Sequence, residues 1–320
     1  MNHLPSIQSG PKGHYNLTLD EVPCFKANIM KHIILLFTLS VAWSAMAQTI
    51  EGTSNSVLVE VKKSRGVEEG KEEKLTLATL GITNVPTYHA LIIGVSEYKN
   101  AGAGLPALDM PVKDAERLYQ TLTTKYTFDP ANVTLLKNPT RADIIDQLDL
   151  LTKKVKERDN LLIFYAGHGV YEKATDFGFW LPSDAKKESR SAWIANSQIK
   201  DYIGAIKSKH TLLITDACFS GSIFKTRSVD TELRRFYDIY KDTSRKGLTS
   251  GNLTEVPDKS VFVKYLLQRL EENQDVFLSS TVLFSRMYEP IINNAATTPQ
   301  FGVIQGAGDE GGDFVFIKRD

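Results

Sequence analysis

Two short apolar segments, each ending abruptly at a small or reactive residue, constrain the fold of this chain more than any other feature. Residues 211–215 run into Asp216-Ala217-Cys218 and stop at Ser220-Gly221, while residues 160–165 break at Ala-Gly-His168-Gly. An uninterrupted run of Leu, Ile, Phe and Thr bounded in this way is typical of a buried strand in a parallel sheet. The pattern predicts two such strands, one with a cysteine and one with a histidine at its carboxyl end.

These two residues acquire chemical meaning only as a pair. A single Cys at a strand end is often a small buried hydrophobe, and a single His between glycines is often a turn residue. Loops that leave the carboxyl edge of a parallel sheet converge on one crevice, where ligands bind. Neighbouring strands would bring the imidazole of His168 to the thiol of Cys218, which is the arrangement that thiolate catalysis requires.

The residues around both positions resemble a known family. F-Y-A-G-H-G (164–169) and D-A-C-F-S-G (216–221) are similar to the histidine and cysteine motifs of caspase-like cysteine peptidases, closest to the metacaspase and bacterial branch. The Cys follows the His by about 50 positions, as in caspases. Weaker similarity covers most of 88–318, including G-F-W-L-P-S-D-A (178–185). The resemblance implies a cysteine endopeptidase with a His168/Cys218 dyad and no third orienting residue.

The same resemblance implies roles for the neighbouring residues. The backbone N–H groups of Gly169 and Cys218 would form the oxyanion hole, and Asp216 and Asp114 would line the pocket for the substrate side chain before the scissile bond. That pocket would accept Arg or Lys. Asp114 could equally serve the dipole of its own helix. The chain departs from the metacaspase pattern at Ala166, where that branch often has Ser. The resemblance implies no cofactor or metal and leaves a calcium requirement open.

Strands that alternate with amphipathic helices predict an α/β fold, a mostly parallel central sheet with helices on both faces. We expect further strands at 91–95 and 133–136, a hairpin at 177–181, and helices that begin near Asp109, Thr140 and Ser260. The resemblance adds a caspase-like strand order and a short strand at 248–251 that walls the substrate groove. Residues 225–246, rich in Lys and Arg, are predicted to be a solvated, partly helical loop and the place of any self-cleavage.

Composition excludes several classes of protein. The 320 residues include 38 basic and 38 acidic ones, so no net field attracts nucleic acid or an anionic membrane. Two cysteines are too few for a disulfide framework. A G-x-G-x-x-G match at 306–311 lacks the following helix that a dinucleotide site requires, because 313–317 has the pattern of a strand.

The first 87 residues differ from the rest. We expect a non-native extension at 1–29, a signal peptide at 30–47 with an A-x-A exit before Gln48, and a linker or N-terminal arm at 48–87, followed by the peptidase domain at 88–320. The apolar run 33–46 is short for a membrane span, although a core helix or an uncleaved anchor remains the alternative. The mature protein would be exported, to the periplasm, the cell surface or the medium, with Cys218 as its single thiol.

Two other functions remain open at this stage. A catalytically silent caspase-fold binding module would lack the His or the Cys, and both are present. A thiol hydrolase that acts on non-peptide acyl bonds would carry the same dyad. Protein or peptide substrates are expected, without nucleic acid or a membrane span in the mature form. The sequence leaves the physiological substrate and the oligomeric state open.

Overall fold

The computed structural model describes residues 86–102, 104–172, 174–217, 224–226, 236–251 and 258–319, all within the unit Glu72–Asp320. For 224–226 and 236–238 only the backbone is described. Cys218 and the segments assigned above to an extension, a signal peptide and an arm up to residue 85 lie outside the described residues.

The strands and helices follow one another in a largely alternating order. The strands are β1 Tyr88–Gly94, β2 Phe128–Lys137, β3 Asn160–Ala166, β4 Gly169–Glu172, β5 Phe177–Trp180, β6 Ile194–Ala195, β7 His210–Asp216, β8 Phe224–Thr226, β9 Ser244–Thr249, β10 Phe277–Ser279, β11 Gln300–Ile304 and β12 Val315–Ile317. The helices are α1 Pro111–Lys125, α2 Arg141–Lys154, α3 Asn196–Ala205, α4 Phe236–Lys241, α5 Val261–Glu272 and α6 Ser280–Asn294, with a 3₁₀ turn at Arg190–Ala192.

Seven strands form the central sheet, in the order β2-β1-β3-β7-β9-β11-β8. The first five are parallel, and β11 is antiparallel to both β9 and β8. Gly94, Ala166 and Asp216 stand side by side in the register of β1, β3 and β7. The predicted mostly parallel sheet is therefore confirmed, and the histidine and cysteine strands are direct neighbours.

Helices cover both faces of this sheet, as predicted, because successive strand residues point to opposite sides. Leu162, Phe164, Leu212 and Ile214 pack on one face with α1, α5 and α6. Leu161, Ile163 and Leu213 pack on the other face with α2 and α3. This two-sided burial explains why both strands are apolar without alternation.

The prediction of a solvated loop at 225–246 was wrong at its C-terminal end. Residues Ser244–Thr249 form β9, a central strand paired with β7 and β11. β9 contains the charged residues Arg245 and Lys246, so its sequence does not have the apolar pattern of a buried strand. Arg245 is only 5% exposed and donates to the carbonyl oxygens of Ser208 and Ser244 at 2.9 and 2.8 Å. Lys246 pairs with Asp309 at 3.1 Å. The expected helical content is present as α4.

The helix starts agree with the sequence in two places and differ in a third. Thr140 accepts a hydrogen bond from the Asp143 N–H in a capping box, and Ser260 accepts one from the Val263 N–H. Asp109, expected to cap α1, does not, since α1 begins at Pro111 with Met110 as its cap residue. No helix in the described part of the chain is long and apolar enough to cross a membrane.

Candidate active site

His168 follows β3 and precedes β4, and two tyrosine hydroxyls hold its backbone. The His168 N–H donates to the Tyr98 hydroxyl at 2.8 Å, and the Tyr165 hydroxyl donates to the His168 carbonyl at 2.7 Å. The Tyr98 ring also lies 5.0 Å from the imidazole, centroid to centroid. Both backbone groups of the histidine are thereby fixed before any substrate binds.

Gly167 lets the hydroxyls of Tyr98 and Tyr165 approach the backbone of His168, an arrangement called here the tyrosine clamp. Its φ is +155°, and an added Cβ would lie 3.1 Å from the hydroxyl oxygens of both Tyr98 and Tyr165. A side chain here would require the two hydroxyls to shift by a few tenths of an ångström, in a backbone conformation that residues other than glycine rarely adopt. The glycine of the A-G-H-G motif is therefore explained by close packing.

The imidazole is oriented by a backbone carbonyl. His168 Nε2 lies 2.8 Å from the carbonyl oxygen of Pro106, in the loop between β1 and α1. A carbonyl can only accept, so Nε2 carries the proton in the neutral ring and Nδ1 carries the lone pair. The expectation that no third group orients the histidine applies to side chains only, because Pro106 supplies a backbone oxygen.

Gly169 opens β4 with its N–H on the side away from the hairpin partner. The Leu181 N–H donates to the His168 carbonyl at 3.1 Å, so position 168 belongs to the hydrogen-bonded pairs of the β4–β5 hairpin. Pairs alternate along an antiparallel ladder. The N–H of Gly169, paired opposite Trp180, is therefore free of β5 and accessible to a neighbouring acceptor.

Asp216 ends β7, two residues before Cys218. It is 7% exposed, and its Oδ1 accepts a hydrogen bond from the Ser260 hydroxyl at 3.0 Å. Burial raises the pKa of Asp216 from 3.8 to about 7, and the charge of Asp114 adds to the increase. No Lys or Arg forms an ion pair with Asp216 among the residues that the structure describes.

Asp114 lies half-buried in the first turn of α1, and its charge acts on Asp216. Asp216 and Asp114 together are called the acidic group below. Burial raises its pKa to about 6, and the charge of Asp258 contributes while that of Arg117 opposes. Arg117 is already bound by Glu271 through two hydrogen bonds of 2.7 and 2.6 Å. Asp114 therefore has Asp258 as an acidic neighbour, its own charge raises the pKa of Asp216, and the guanidinium of Arg117 is bound to Glu271.

Asp258 was missed by the sequence analysis. Its Oδ1 accepts from the backbone N–H groups of Asp109 and Met110 at 2.8 and 3.0 Å, so it caps α1 from a distant part of the chain. A contact across about 150 residues leaves no local pattern. Ser260, two residues later, reaches Asp216 from the start of α5.

Of the residues predicted for the site, His168, Gly169, Asp216 and Asp114 are described, and Cys218 is outside the described residues. The register places Ala166 next to Asp216. The tyrosine clamp and the Pro106 carbonyl were not predicted. Tyr165 is printed in the motif itself, whereas Tyr98 and Pro106 lie in a loop without a distinctive pattern. The described residues contain no group of three or more His, Cys, Asp and Glu side chains suited to a metal ion.

A comparison with known families gives the decisive match. Residues 87–289 match the caspase domain of the C14 peptidases. The chain belongs to the caspase-domain family of cysteine peptidases. The matched part contains both motifs, the acidic residues Asp114, Asp216 and Asp258, and β9.

Similar solved structures include caspase-1 from Spodoptera frugiperda, at 14% identity, a TM-score of 0.49, and coverage of 68% of this chain and 87% of that one. A protein from Geobacter sulfurreducens is similar at 19% identity, a TM-score of 0.48, and coverage of 70% and 97%. No curated protein matches this chain. The assignment to the caspase-domain family therefore depends on the family match.

Proposed function

We propose that this chain is a cysteine endopeptidase with a His168/Cys218 dyad that cleaves after Arg and, less efficiently, after Lys. The observation that carries the proposal is Asp216, a buried carboxylate two residues before the cysteine whose pKa is raised to about 7 and which has no basic partner in the described part of the chain. A buried carboxylate with a raised pKa at the carboxyl end of a parallel strand is a candidate for binding a ligand.

Strand register supports the dyad. Ala166 of β3 is the partner of Asp216 of β7 and both strands end there, so His168 and Cys218 each follow two residues after the ends of neighbouring strands. Paired residues of neighbouring strands lie about 5 Å apart. That spacing suits a thiol that gives its proton to an imidazole nitrogen, and Nδ1 of His168 is the nitrogen with the free lone pair.

The reaction then follows ordinary thiolate chemistry. Nδ1 takes the proton of the Cys218 thiol, and the sulfur attacks the carbonyl carbon of the scissile bond. The oxyanion that forms accepts hydrogen bonds from the N–H groups of Gly169 and Cys218. The imidazolium returns its proton to the leaving amine, and a water molecule, deprotonated by His168, releases the acyl group. The Pro106 carbonyl stabilises the imidazolium throughout by accepting from Nε2.

The acidic group explains the choice of side chain before the scissile bond. A carboxylate of the substrate would meet Asp216 and Asp114 in a partly desolvated pocket, which costs several kcal/mol. A guanidinium can pair with a carboxylate through two parallel hydrogen bonds, whereas an ammonium offers a single point of charge. Arg should therefore be preferred to Lys, and binding of either should lower the pKa of both aspartates.

Steady-state kinetics on matched peptides tests the proposal. The residue before the scissile bond would be Arg, Lys, citrulline, Asp or Leu, where citrulline keeps the shape of Arg without its charge. We expect kcat/KM to decrease from Arg to Lys and to fall at least 100-fold for citrulline, since a charged hydrogen bond in a desolvated site contributes about 3 kcal/mol. Asp216→Asn should remove most of the difference between Arg and citrulline, while Asp201→Asn on the exposed side of α3 should not.

The alternatives give different results. Equal rates for Arg and citrulline would show that Asp216 does not contact the substrate side chain. Hydrolysis of an Arg ester or an isopeptide without any cleavage of peptides would favour a thiol hydrolase of non-peptide acyl bonds. Peptide binding that continues unchanged in Cys218→Ala, without turnover in the wild type, would favour a silent binding module.

A further inference from the structure

We propose that the substrate residues after the scissile bond bind as an added strand along the free edge of β4, with an apolar side chain preferred at the second of these residues. The inference rests on the proposed endopeptidase function and extends it to the leaving half of the substrate. It concerns β4 and β5, which take no part in the acidic pocket.

The free edge of β4 begins at the residue after the histidine. In the described part of the chain β4 pairs with β5 alone, within a small sheet of order β4-β5-β6. The alternation that frees the Gly169 N–H also frees the N–H and C=O of Tyr171, whereas Val170 and Glu172 bond to β5. An edge of unpaired peptide groups is a surface on which an extended peptide can add as a strand.

The direction of the substrate follows from the strand order. β9, which carries the expected wall for residues before the scissile bond, lies on one side of β7, and β3 with His168 lies on the other. A peptide that passes from β9 across the end of β7 continues over His168 and reaches β4. Its leaving half and β4 then both run away from the crevice, so the two would pair in parallel.

One hydrogen bond sets the register of this pairing. The Gly169 N–H donates to the carbonyl before the scissile bond, which places Gly169 opposite the first residue after it. In a parallel ladder the Gly169 carbonyl then accepts from the N–H of the second residue, and the Tyr171 N–H donates to the carbonyl of the same residue. The N–H of the third residue points away from β4. Oxyanion binding and strand addition are thus compatible in a single register.

The register also places the side chain of the second residue. It would lie beside Val170, on the face of the small sheet opposite to that of Trp180, which is fully buried and stacks on Tyr165 with centroids 4.4 Å apart. Val170 is half-buried and stands opposite Phe179, whose ring lies 5.5 Å from that of Trp193. A β-branched or other apolar residue extends this surface, because cross-strand apolar neighbours stabilise a sheet.

Backbone-modified peptides provide the test, with the full chain as the enzyme. The parent peptide has Arg before the scissile bond and Val as the second residue after it. N-methylation of the second residue removes the donor to the Gly169 carbonyl and should lower kcat/KM about tenfold, the effect of one hydrogen bond that also leaves an acceptor unpaired. N-methylation of the third residue is the matched control and should change kcat/KM less than twofold.

A pair of variants tests the side-chain contact. Wild type should prefer Val to Ala at the second residue about fivefold, from the partial burial of two methyl groups. Val170→Ala should reduce that preference below twofold, whereas Val276→Ala, an exposed valine before β10, should keep it. An equal loss of rate for both N-methyl peptides, or a preference unchanged in Val170→Ala, would overturn the proposal while the enzyme still cut the parent. Failure to cut the parent at all would overturn the endopeptidase function first.

Discussion

Replacing Asp216 by Asn should make the protein more stable at alkaline pH and at the same time remove its preference for Arg. The Asn side chain keeps an oxygen to accept from the Ser260 hydroxyl, now 3.0 Å from Asp216 Oδ1, and carries no charge. The variant therefore separates the cost of a buried negative charge from the loss of a hydrogen bond.

The magnitude follows from the raised pKa of Asp216. The difference between an unfolded value of 3.8 and a folded value of about 7 corresponds to about 4 kcal/mol. The folded protein retains a proton that the unfolded chain releases, so stability is lost as the pH rises from about 4 to 7 and stays at the lower level above. Asp216→Asn should exceed wild type by up to about 4 kcal/mol in unfolding free energy at pH 8, with the difference vanishing near pH 4.

Urea unfolding at pH 4, 5, 6, 7 and 8 measures this difference, provided that both proteins unfold in two states with the same dependence on urea. Asp201→Asn, at an exposed carboxylate, is the control for a general effect of charge removal. A variant that is less stable than wild type at pH 8, or a difference that does not grow with pH, would show that Asp216 has a compensating partner in the folded protein.

Four further predictions address other parts of the protein. His168→Ala and Cys218→Ala should each abolish turnover with little loss of stability, and a peptide electrophile should label Cys218 only when His168 is present, as judged by mass spectrometry. Tyr98→Phe should lower kcat about tenfold with little change in KM, because it removes the acceptor of the His168 N–H without touching the substrate. N-terminal sequencing of the exported protein should begin at Gln48, and a start at Met1 or Met30 would exclude the expected cleavage. Any self-cleavage should fall between Lys225 and Lys246, and within 227–243 because β8 and β9 occupy the two ends of that interval; fragments shared with Cys218→Ala would mean that the enzyme does not cut itself.

Much of the fold could be predicted from the sequence because a strand that is buried on both faces has a continuous run of apolar residues. β3 and β7 are buried at every position and apolar in their central residues, and each is followed by a motif that ends the strand. β9 could not be found in this way, since its Arg245 and Lys246 are charged and yet buried or half-buried. Their charges are compensated by backbone carbonyls and by Asp309, which come from other parts of the chain. Local pattern analysis cannot detect compensation that only the folded chain provides.

The site also contains some residues that the local sequence marks and others that only distant contacts reveal. His168, Gly169 and Asp216 sit within motifs, so their type and position could be proposed from the sequence alone. The Pro106 carbonyl has no side chain to mark it, and Asp258 serves the site by capping a helix that begins about 150 residues earlier. Groups that act through the backbone, or across a long separation in the chain, become visible only when the contacts are known.

Two buried aspartates show why the raised pKa of Asp216 carries functional weight. Burial also raises the pKa of Asp313, but this carboxylate accepts from the Ser280 hydroxyl and from the Thr281 N–H, 3.1 Å away, at the start of α6. The helix N-terminus and its donors stabilise the charge, so Asp313 has a structural role that accounts for its burial. Hydrogen bonds from the side chains of Ser250 and of Ser260, the latter at 3.0 Å, lower the pKa of Asp216, but burial outweighs them and the charge of Asp114 raises it further. No Lys or Arg in the described part of the chain forms an ion pair with Asp216, and a substrate guanidinium would provide the cation.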